Sequence, residues 1–219
     1  MSRSKGNVDE MDSDPLPLAL FAEICRWSLE SNNIFVWTWN VVMWNLMCRP
    51  ISVDPLGFHN FGMGGDCTKI KYDATKADQK GEKVTWKNIY DNTNHPCVSI
   101  NLSLGCWLAL KDPKFKDGDK IFLNKEAQKG TASHRYCTQL MKLLQTPEKI
   151  EMIKEYMRNE CLTAYSMRKG GAVTCTSDAV DCLSFVSVCQ RGDEWNQGKV
   201  FEAYFQWANG GDLFAGRGV

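Results

Sequence analysis

The stretch AYSMRKG, residues 164–170, is the part of the chain from which both the fold and the chemistry can be inferred. It is followed by Trp195 and, nine positions later, by Tyr204. Arg168 within the stretch offers a planar fork that holds two phosphate oxygens at once. An indole N–H only donates hydrogen bonds, and a tyrosine hydroxyl can attack phosphorus to form a phosphotyrosine. These residue types in this order suit chemistry on a phosphodiester.

Further segments occur before and after that stretch, in the same order as in a known family. MWNLMCR (43–49) ends an apolar run with an arginine, and TKADQKG (75–81) is typical of a turn between strands. Two blocks follow at 192–195 and 200–204, and then GDLFAGR at 211–217. Together they resemble the tyrosine recombinase (phage integrase) superfamily, and more closely the recombinases of eukaryotic Crypton-type mobile elements. The resemblance implies a catalytic domain that is mainly α with a small β-hairpin meander, an α+β fold.

The resemblance also implies roles for individual residues. Tyr204 would be the nucleophile, while Arg168 and Arg49 would hold the non-bridging oxygens of the scissile phosphate and offset charge in the transition state. A tyrosine with the ordinary pKa of about 10 is mostly protonated at neutral pH, so Tyr204 needs nearby positive charge as it attacks. Val200, Tyr204 and Trp207 also form a stripe at helical spacing, which suits a face in the core.

The remaining site residues supply protons and hydrogen bonds. By the same resemblance, Lys76 would protonate the departing 5′ oxygen as a general acid, although Lys80 and Lys83 share its hairpin. Tyr165 stands where the family usually has histidine. Tyrosine donates a hydrogen bond to a phosphate oxygen, but it accepts protons poorly near neutral pH. Trp195 would donate its ring N–H, as in some relatives.

Composition narrows the class of protein. The chain has 219 residues, 43% of them hydrophobic, which suits one large domain or one domain with a small appendage. Its ten cysteines form no CxxC pair and no zinc-type spacing, so we expect free thiols in a reducing compartment. No metal or other cofactor is expected, and the resemblance implies a nuclear protein. The histidines His59, His95 and His134 match no catalytic position and are expected in loops or at the surface.

The charge balance bears on the expected partner. The formal net charge is zero, with 26 basic and 26 acidic residues, which argues against a dedicated DNA coat because phosphate neutralisation normally requires a basic face. Basic residues outnumber acids within 67–90 and 111–135, so these stretches either border a groove for DNA or form a mixed-charge surface. The expected partner is double-stranded DNA, bound by a homo-oligomer. The sequence has no apolar run long enough to span a membrane, so no membrane partner is expected.

Apolar periodicity divides the chain into a leader and one domain. Residues 1–14 are polar and acidic, which predicts a disordered leader, and residues 15–219 would form the catalytic domain. A helix from 33 to 48 is apolar on nearly all sides, which is typical of the middle of a core. Too few residues precede it for the core-binding domain that the family usually places first. We therefore expect a catalytic domain that stands alone, as a fragment or a decayed copy.

The other elements follow from periodicity and turn residues. A first helix would begin near Pro15 and Pro17 and run through Leu29. Residues 57–65 are expected to form a loop. Strands are predicted at 68–75, 84–86 and 121–123, and further helices at 97–110, 133–144, 147–158, 166–177, 181–190 and 197–207.

Three functions remain open on the sequence. The first is DNA strand transfer, in which Tyr204 forms a 3′-phosphotyrosine bond and releases a 5′ hydroxyl that later reseals to a new strand. The second is a catalytically decayed, mobile-element-derived protein that binds DNA or a partner. Zero net charge and Tyr165 favour it. The third is a nicking and closing enzyme similar to type IB topoisomerases.

Overall fold

The helices and strands are those of a computed structural model, which describes residues 13–74, 79–82, 84–92, 95–110, 119–122, 131–157, 162–178, 188 and 191. In this part of the chain there are seven α-helices and three strands. The helices are α1 (Leu18–Glu30), α2 (Ile34–Leu46), α3 (Pro50–Val53), α4 (Ile100–Ala109), α5 (Ala132–Leu143), α6 (Pro147–Tyr156) and α7 (Ala164–Val173). The strands are β1 (Phe61–Gly64), β2 (Cys67–Ile70) and β3 (Lys87–Ile89). The expected fold class, mainly helical with a small sheet, is confirmed.

Helix α2 lies at the centre of the fold. Ten of its residues are buried, and it packs against α1, α4, α5 and α7. The helix begins at Asn33, whose side chain accepts a hydrogen bond of 3.1 Å from the backbone N–H of Val36. Because apolar residues surround α2 on all sides, it could form only where other helices cover every face, as the sequence predicted.

Helix α1 and the residues before it cover one side of α2. Pro17 is the N-cap, and its fixed φ of −65° prepares the start of the helix. The face that meets α2 is apolar at helical spacing and includes Leu20, Phe21 and Ile24, all fully buried. The predicted leader lies outside the described residues except for Ser13 and Asp14, which are 2% and 3% exposed. Its boundary at residue 14 stays a prediction.

An aromatic cluster fills the other side of the core. The ring of Trp39 on α2 stacks on Tyr136 of α5 at 5.2 Å between centroids and contacts Phe122 at 4.8 Å. The Tyr136 hydroxyl donates a 2.7 Å hydrogen bond to the side-chain oxygen of Asn40. Burial raises the pKa of Tyr136 well above its ordinary value, so this hydroxyl stays protonated and serves as a donor.

The sheet is antiparallel, in the order β1-β2-β3. In its register Gly62 pairs with Lys69, and Lys69 pairs with Asn88. Strand β1 falls within 57–65, where the sequence predicted a loop. Its sequence, FGMG, has no β-branched residue and two glycines, so propensity gave no signal and the pairing with β2 forms the strand.

Other boundaries also differ from the predictions. Strand β2 ends at Ile70 instead of 75, and β3 begins at Lys87 instead of 84, because the register with β2 selects which residues pair. Residues 121 and 122 form a turn next to an isolated bridge between Gly57 and Lys120. The helices predicted at 181–190 and 197–207 lie outside the described residues, except for Val188, which is helical and buried.

Asp91 holds the start of α4 against the end of β3. Its carboxylate accepts hydrogen bonds from Ser99 Oγ at 2.8 Å, from Asn101 N at 3.0 Å and from Asn101 Nδ2 at 2.8 Å. Partial burial raises the pKa of Asp91, but these hydrogen bonds outweigh burial and hold the pKa below its ordinary value. The ionised form therefore stabilises the fold.

Asp91→Asn is expected to lower the free energy of unfolding at pH 7 by about 1 kcal/mol, since the carboxylate is exposed and partly screened. Because the folded pKa is depressed, the contribution is present above the unfolded pKa of about 3.9 and disappears as pH falls through the folded value. Thermal unfolding from pH 7 to pH 3 should therefore show the two proteins converging in acid. Glu155→Gln, which removes an exposed charge on α6, is the control. A gap between Asp91→Asn and the parent that persists at pH 3 would contradict the argument.

Candidate active site

Arg49 follows the reversal of the chain at the end of α2. Met47 adopts a left-handed conformation with φ of 48°, and Cys48 N donates to the carbonyl oxygen of Met43 at 3.3 Å. With the 3.2 Å hydrogen bond from Met47 N to Trp44 O, this is a Schellman motif. Glycine usually occupies the left-handed position, so methionine adopts it at a local cost. The half-buried Arg49 is then the N-cap of α3.

Tyr165 and Arg168 lie one turn apart on α7. A capping box starts this helix: Thr163 Oγ1 accepts a hydrogen bond from Tyr165 N at 3.1 Å, and Ser166 Oγ accepts one from Thr163 N at 3.1 Å. Tyr165 is half-buried, whereas Arg168 is 2% exposed. The spacing of three residues places both on one side of the helix.

Close packing between α7 and α2 brings the two arginine-bearing segments together. A Cβ at Gly171 would lie 2.9 Å from the carbonyl oxygen of Trp44, and one at Gly170 would lie 2.8 Å from the Trp44 ring. These glycines therefore let α7 approach the last turn of α2, just before the reversal that leads to Arg49. The two segments are therefore adjacent, and the convergence of the two arginine side chains on one site stays a prediction.

Lys76 lies outside the described residues, but both ends of its loop are described. Gly81 has a φ of 71°, and a Cβ there would overlap the carbonyl oxygen of Asp73, so the two ends of the loop are in contact. The Asp73 carboxylate accepts a hydrogen bond from Asn60 Nδ2 at 2.8 Å, and His59 Nε2 lies 3.0 Å from both of its oxygens. The turn before β1 thus holds the base of the Lys76 loop.

These contacts also set the protonation state of Asp73. Burial raises the pKa of its carboxyl, but the hydrogen bonds from His59 and Asn60 and the nearby charges outweigh burial and lower the pKa. Asp73 is therefore ionised at neutral pH. From the sequence, His59 was expected in a loop or at the surface, without a catalytic position. The two partners are fourteen positions apart with no motif between them, so no sequence signal connects them.

Arg191 is a further site-adjacent residue that the motifs did not reveal. Its Nε donates a 2.8 Å hydrogen bond to the carbonyl oxygen of Asn45 in α2, and a terminal nitrogen donates one of 2.6 Å to that of Asn88 in β3. Burial lowers the pKa of Arg191, and interactions with Cys175 and Tyr72 partly offset this effect. In sequence Arg191 precedes Trp195 by four positions. Trp195 and Tyr204 lie outside the described residues.

Comparison with known proteins identifies the fold. No protein-family model and no curated protein matches the sequence. Among solved structures, the chain matches XerH site-specific recombinase bound to a palindromic difH substrate in a post-cleavage complex, with a TM-score of 0.58 and 16% identity. It also matches XerH bound to difH in a pre-cleavage complex, with a TM-score of 0.55 and 14% identity. The fold is that of a tyrosine recombinase catalytic domain.

The matches cover nearly all of this chain but only about half of each XerH chain. They cover 100% and 93% of this chain, but 55% and 53% of the XerH chains. This chain therefore spans little more than half the length of the structures that it matches. At such low identity the likeness concerns the fold alone, and the roles of the site residues stay predictions.

The described residues contain neither a metal-binding cluster nor a membrane-spanning helix. Within those ranges, His, Cys, Asp and Glu side chains do not gather in groups of three that could hold a metal ion. No helix in the same ranges is both long and apolar enough to cross a bilayer. The described cysteines are free thiols, and burial raises the pKa of Cys25 well above its ordinary value.

Proposed function

We propose that this protein cleaves and rejoins DNA strands through a 3′-phosphotyrosine intermediate, the chemistry of site-specific recombination or DNA integration. The packing of α7 against the last turn of α2 carries this proposal. It joins the helix of Tyr165 and Arg168 to the chain reversal before Arg49. The fold in which it occurs is shared with DNA-bound XerH complexes.

In the proposed reaction Tyr204 Oη attacks the scissile phosphorus and loses its proton to solvent. The bond between phosphorus and the 5′ oxygen breaks, and that oxygen takes a proton from Lys76 Nζ. Arg49 and Arg168 bind the non-bridging oxygens and offset the charge that develops on them. Attack by another strand's 5′ hydroxyl reverses these steps. Neither a metal nor a nucleotide is required, because the phosphotyrosine conserves the energy of the broken bond.

Two further side chains complete the proposed site by donating hydrogen bonds. The Tyr165 hydroxyl and the Trp195 ring N–H both donate to phosphate oxygens. Tyr165 replaces the family's usual histidine, so it orients the phosphate instead of exchanging protons with it. The proposed substrate is duplex DNA bound by a homo-oligomer in the nucleus, and the proposed origin is a Crypton-type mobile element. Trapping a covalent protein–DNA adduct on a nicked duplex tests the reaction directly.

Two observations favour a second function, a decayed protein that binds DNA or a partner without cleaving. Arg168 is 2% exposed, so a phosphate reaches its guanidinium only if neighbouring residues move. Zero net charge points the same way. The two functions separate in a single assay, because only the enzyme forms a denaturation-resistant adduct.

DNA affinity is expected to be weak and to fall steeply with salt. If the basic residues within 67–90 neutralise about three phosphates, affinity falls roughly 40-fold between 50 and 200 mM salt. Titration of a fluorescent duplex at several salt concentrations measures this slope.

Two variants locate the contact surface. Lys80→Gln removes a charge within 67–90 and should reduce the salt slope by about one unit. Lys154→Gln removes an exposed charge on α6, outside that stretch, and should leave the slope unchanged. Tight binding that does not respond to salt would contradict the electrostatic argument.

A further inference from the structure

The Arg191 guanidinium joins two segments that lead to proposed site residues. One contact is to the carbonyl oxygen of Asn45 in the last turn of α2, four positions before Arg49. The other is to the carbonyl oxygen of Asn88 in β3, the strand that returns from the Lys76 loop. These partners lie 146 and 103 positions from Arg191 along the chain. A single side chain therefore connects the chain reversal at residues 45–49, called here the arginine corner, with the sheet.

Two other segments also approach this guanidinium. Cys175, in the π-helical turn Thr174–Asp178 that extends α7, and Tyr72, between β2 and the Lys76 loop, both lie near enough to Arg191 to raise its pKa. Arg191 thus lies where the ends of α2 and α7 meet both sides of the sheet's long loop.

The chemistry of the side chain suits this position. Guanidinium is planar and presents N–H donors in fixed, divergent directions, so it can bind two carbonyl oxygens from different segments at once. A lysine ammonium is a compact charge that would reach one of them well. Burial opposes the charge, as the lowered pKa of Arg191 shows, and the hydrogen bonds to Asn45 and Asn88 offset that cost.

We infer that Arg191 is a positioning residue, which fixes the arginine corner after α2 relative to strand β3. The inference rests on the proposed function for its catalytic meaning. The structural part of the inference is that one guanidinium holds two segments together, and this part does not depend on catalytic activity. Arg191 acts through the backbone of those segments, so its loss misplaces Arg49 without removing it.

Arg135 provides a matched control. It is another partly buried arginine, its terminal nitrogen donates a 2.9 Å hydrogen bond to the carbonyl oxygen of Phe122, and its guanidinium lies 4.0 Å from the Phe35 ring centroid. Burial lowers the pKa of Arg135 as it does for Arg191. Its hydrogen bond and ring contact lie in the aromatic core and involve neither Asn45 nor Asn88. Arg191→Gln and Arg135→Gln therefore remove similar interactions at different places.

Two measurements on the full chain test the inference. Hydrogen–deuterium exchange should be faster in Arg191→Gln at 43–49 and 87–89, and unchanged there in Arg135→Gln. The rate of adduct formation at saturating nicked duplex should fall about tenfold or more in Arg191→Gln, with the half-saturating DNA concentration unchanged. Arg191→Lys should give an intermediate rate, and added guanidinium ion should partly restore the rate of Arg191→Ala.

The outcomes separate the inference from the proposed function. Unchanged exchange at both segments in Arg191→Gln would overturn the inference, whatever the activity. An equal fall in adduct rate in Arg191→Gln and Arg135→Gln would overturn it too, because the loss would then reflect stability alone. Absence of any adduct with the parent protein would refute the proposed function, and the exchange data alone would then decide the role of Arg191.

Discussion

Tyr204→Phe is expected to abolish the covalent protein–DNA adduct, because the substitution removes only the oxygen that attacks phosphorus. The substrate is a nicked duplex whose short 5′-hydroxyl fragment diffuses away after cleavage, which blocks resealing and traps the phosphotyrosine. Candidate duplexes come from the sequences that flank the encoding element. Denaturing gel electrophoresis with labelled DNA detects the adduct. Folding and non-covalent binding should be unchanged, as circular dichroism and the salt titration would show.

The matched control is Tyr156→Phe, which removes the hydroxyl of an exposed tyrosine on α6 and should leave the adduct yield unchanged. Arg168→Ala should reduce the yield by about a hundredfold or more, the effect of losing one preorganised donor to a developing oxyanion. An adduct that survives Tyr204→Phe would place the nucleophile elsewhere. No adduct with any flanking duplex would favour the binding protein over the enzyme.

Much of the fold was predictable because the decisive signals are local. Helix α2 is apolar on all sides, and this pattern alone placed it at the centre of the core. The sheet was harder to predict. Val84 and Trp86 have high strand propensity, yet strand β3 starts at Lys87, because pairing of Ile70 with Lys87 sets the register. The sequence of one segment does not show which distant segment it will pair with or in which register.

The candidate site also has a part that the local sequence predicted and a part that depends on contacts between distant segments. The motif around Arg168 predicted a helix that the structure contains, and the glycines after it allow that helix to pack closely on α2. The side chains around the motif were not predictable. Arg191 reaches Asn45 across 146 positions, and Asp73 meets His59 across fourteen. Neither pair has a recognisable spacing, because the contacts exist only once the chain has folded.

The segment 13–17 packs so closely on α7 that residue 170 has no room for a side chain. Leu16 N donates a 3.1 Å hydrogen bond to the carbonyl oxygen of Ser166, and the buried Lys169 Nζ donates one of 2.7 Å to the carbonyl oxygen of Ser13. The backbone of Leu16 therefore lies directly on α7. A Cβ at Gly170 would overlap the Leu16 carbonyl oxygen and lie 2.9 Å from its nitrogen.

Gly170→Ala is expected to lower the free energy of unfolding by about 3 kcal/mol, since the new methyl group meets backbone on one side and a fixed ring on the other. The Trp44 ring, 2.8 Å from that methyl position, stacks on Phe21 at 4.0 Å and has little room to retreat. Gly105→Ala is the control: it lies on α4 with nothing within 4 Å, and should stabilise the protein by about 0.5–1 kcal/mol. For a chain of this size the first change lowers the unfolding midpoint by roughly 6–12 °C, which calorimetry would measure. Equal midpoints for Gly170→Ala and the parent would show that the segment 13–17 does not press on α7, and that Arg168 does not depend on it for its position.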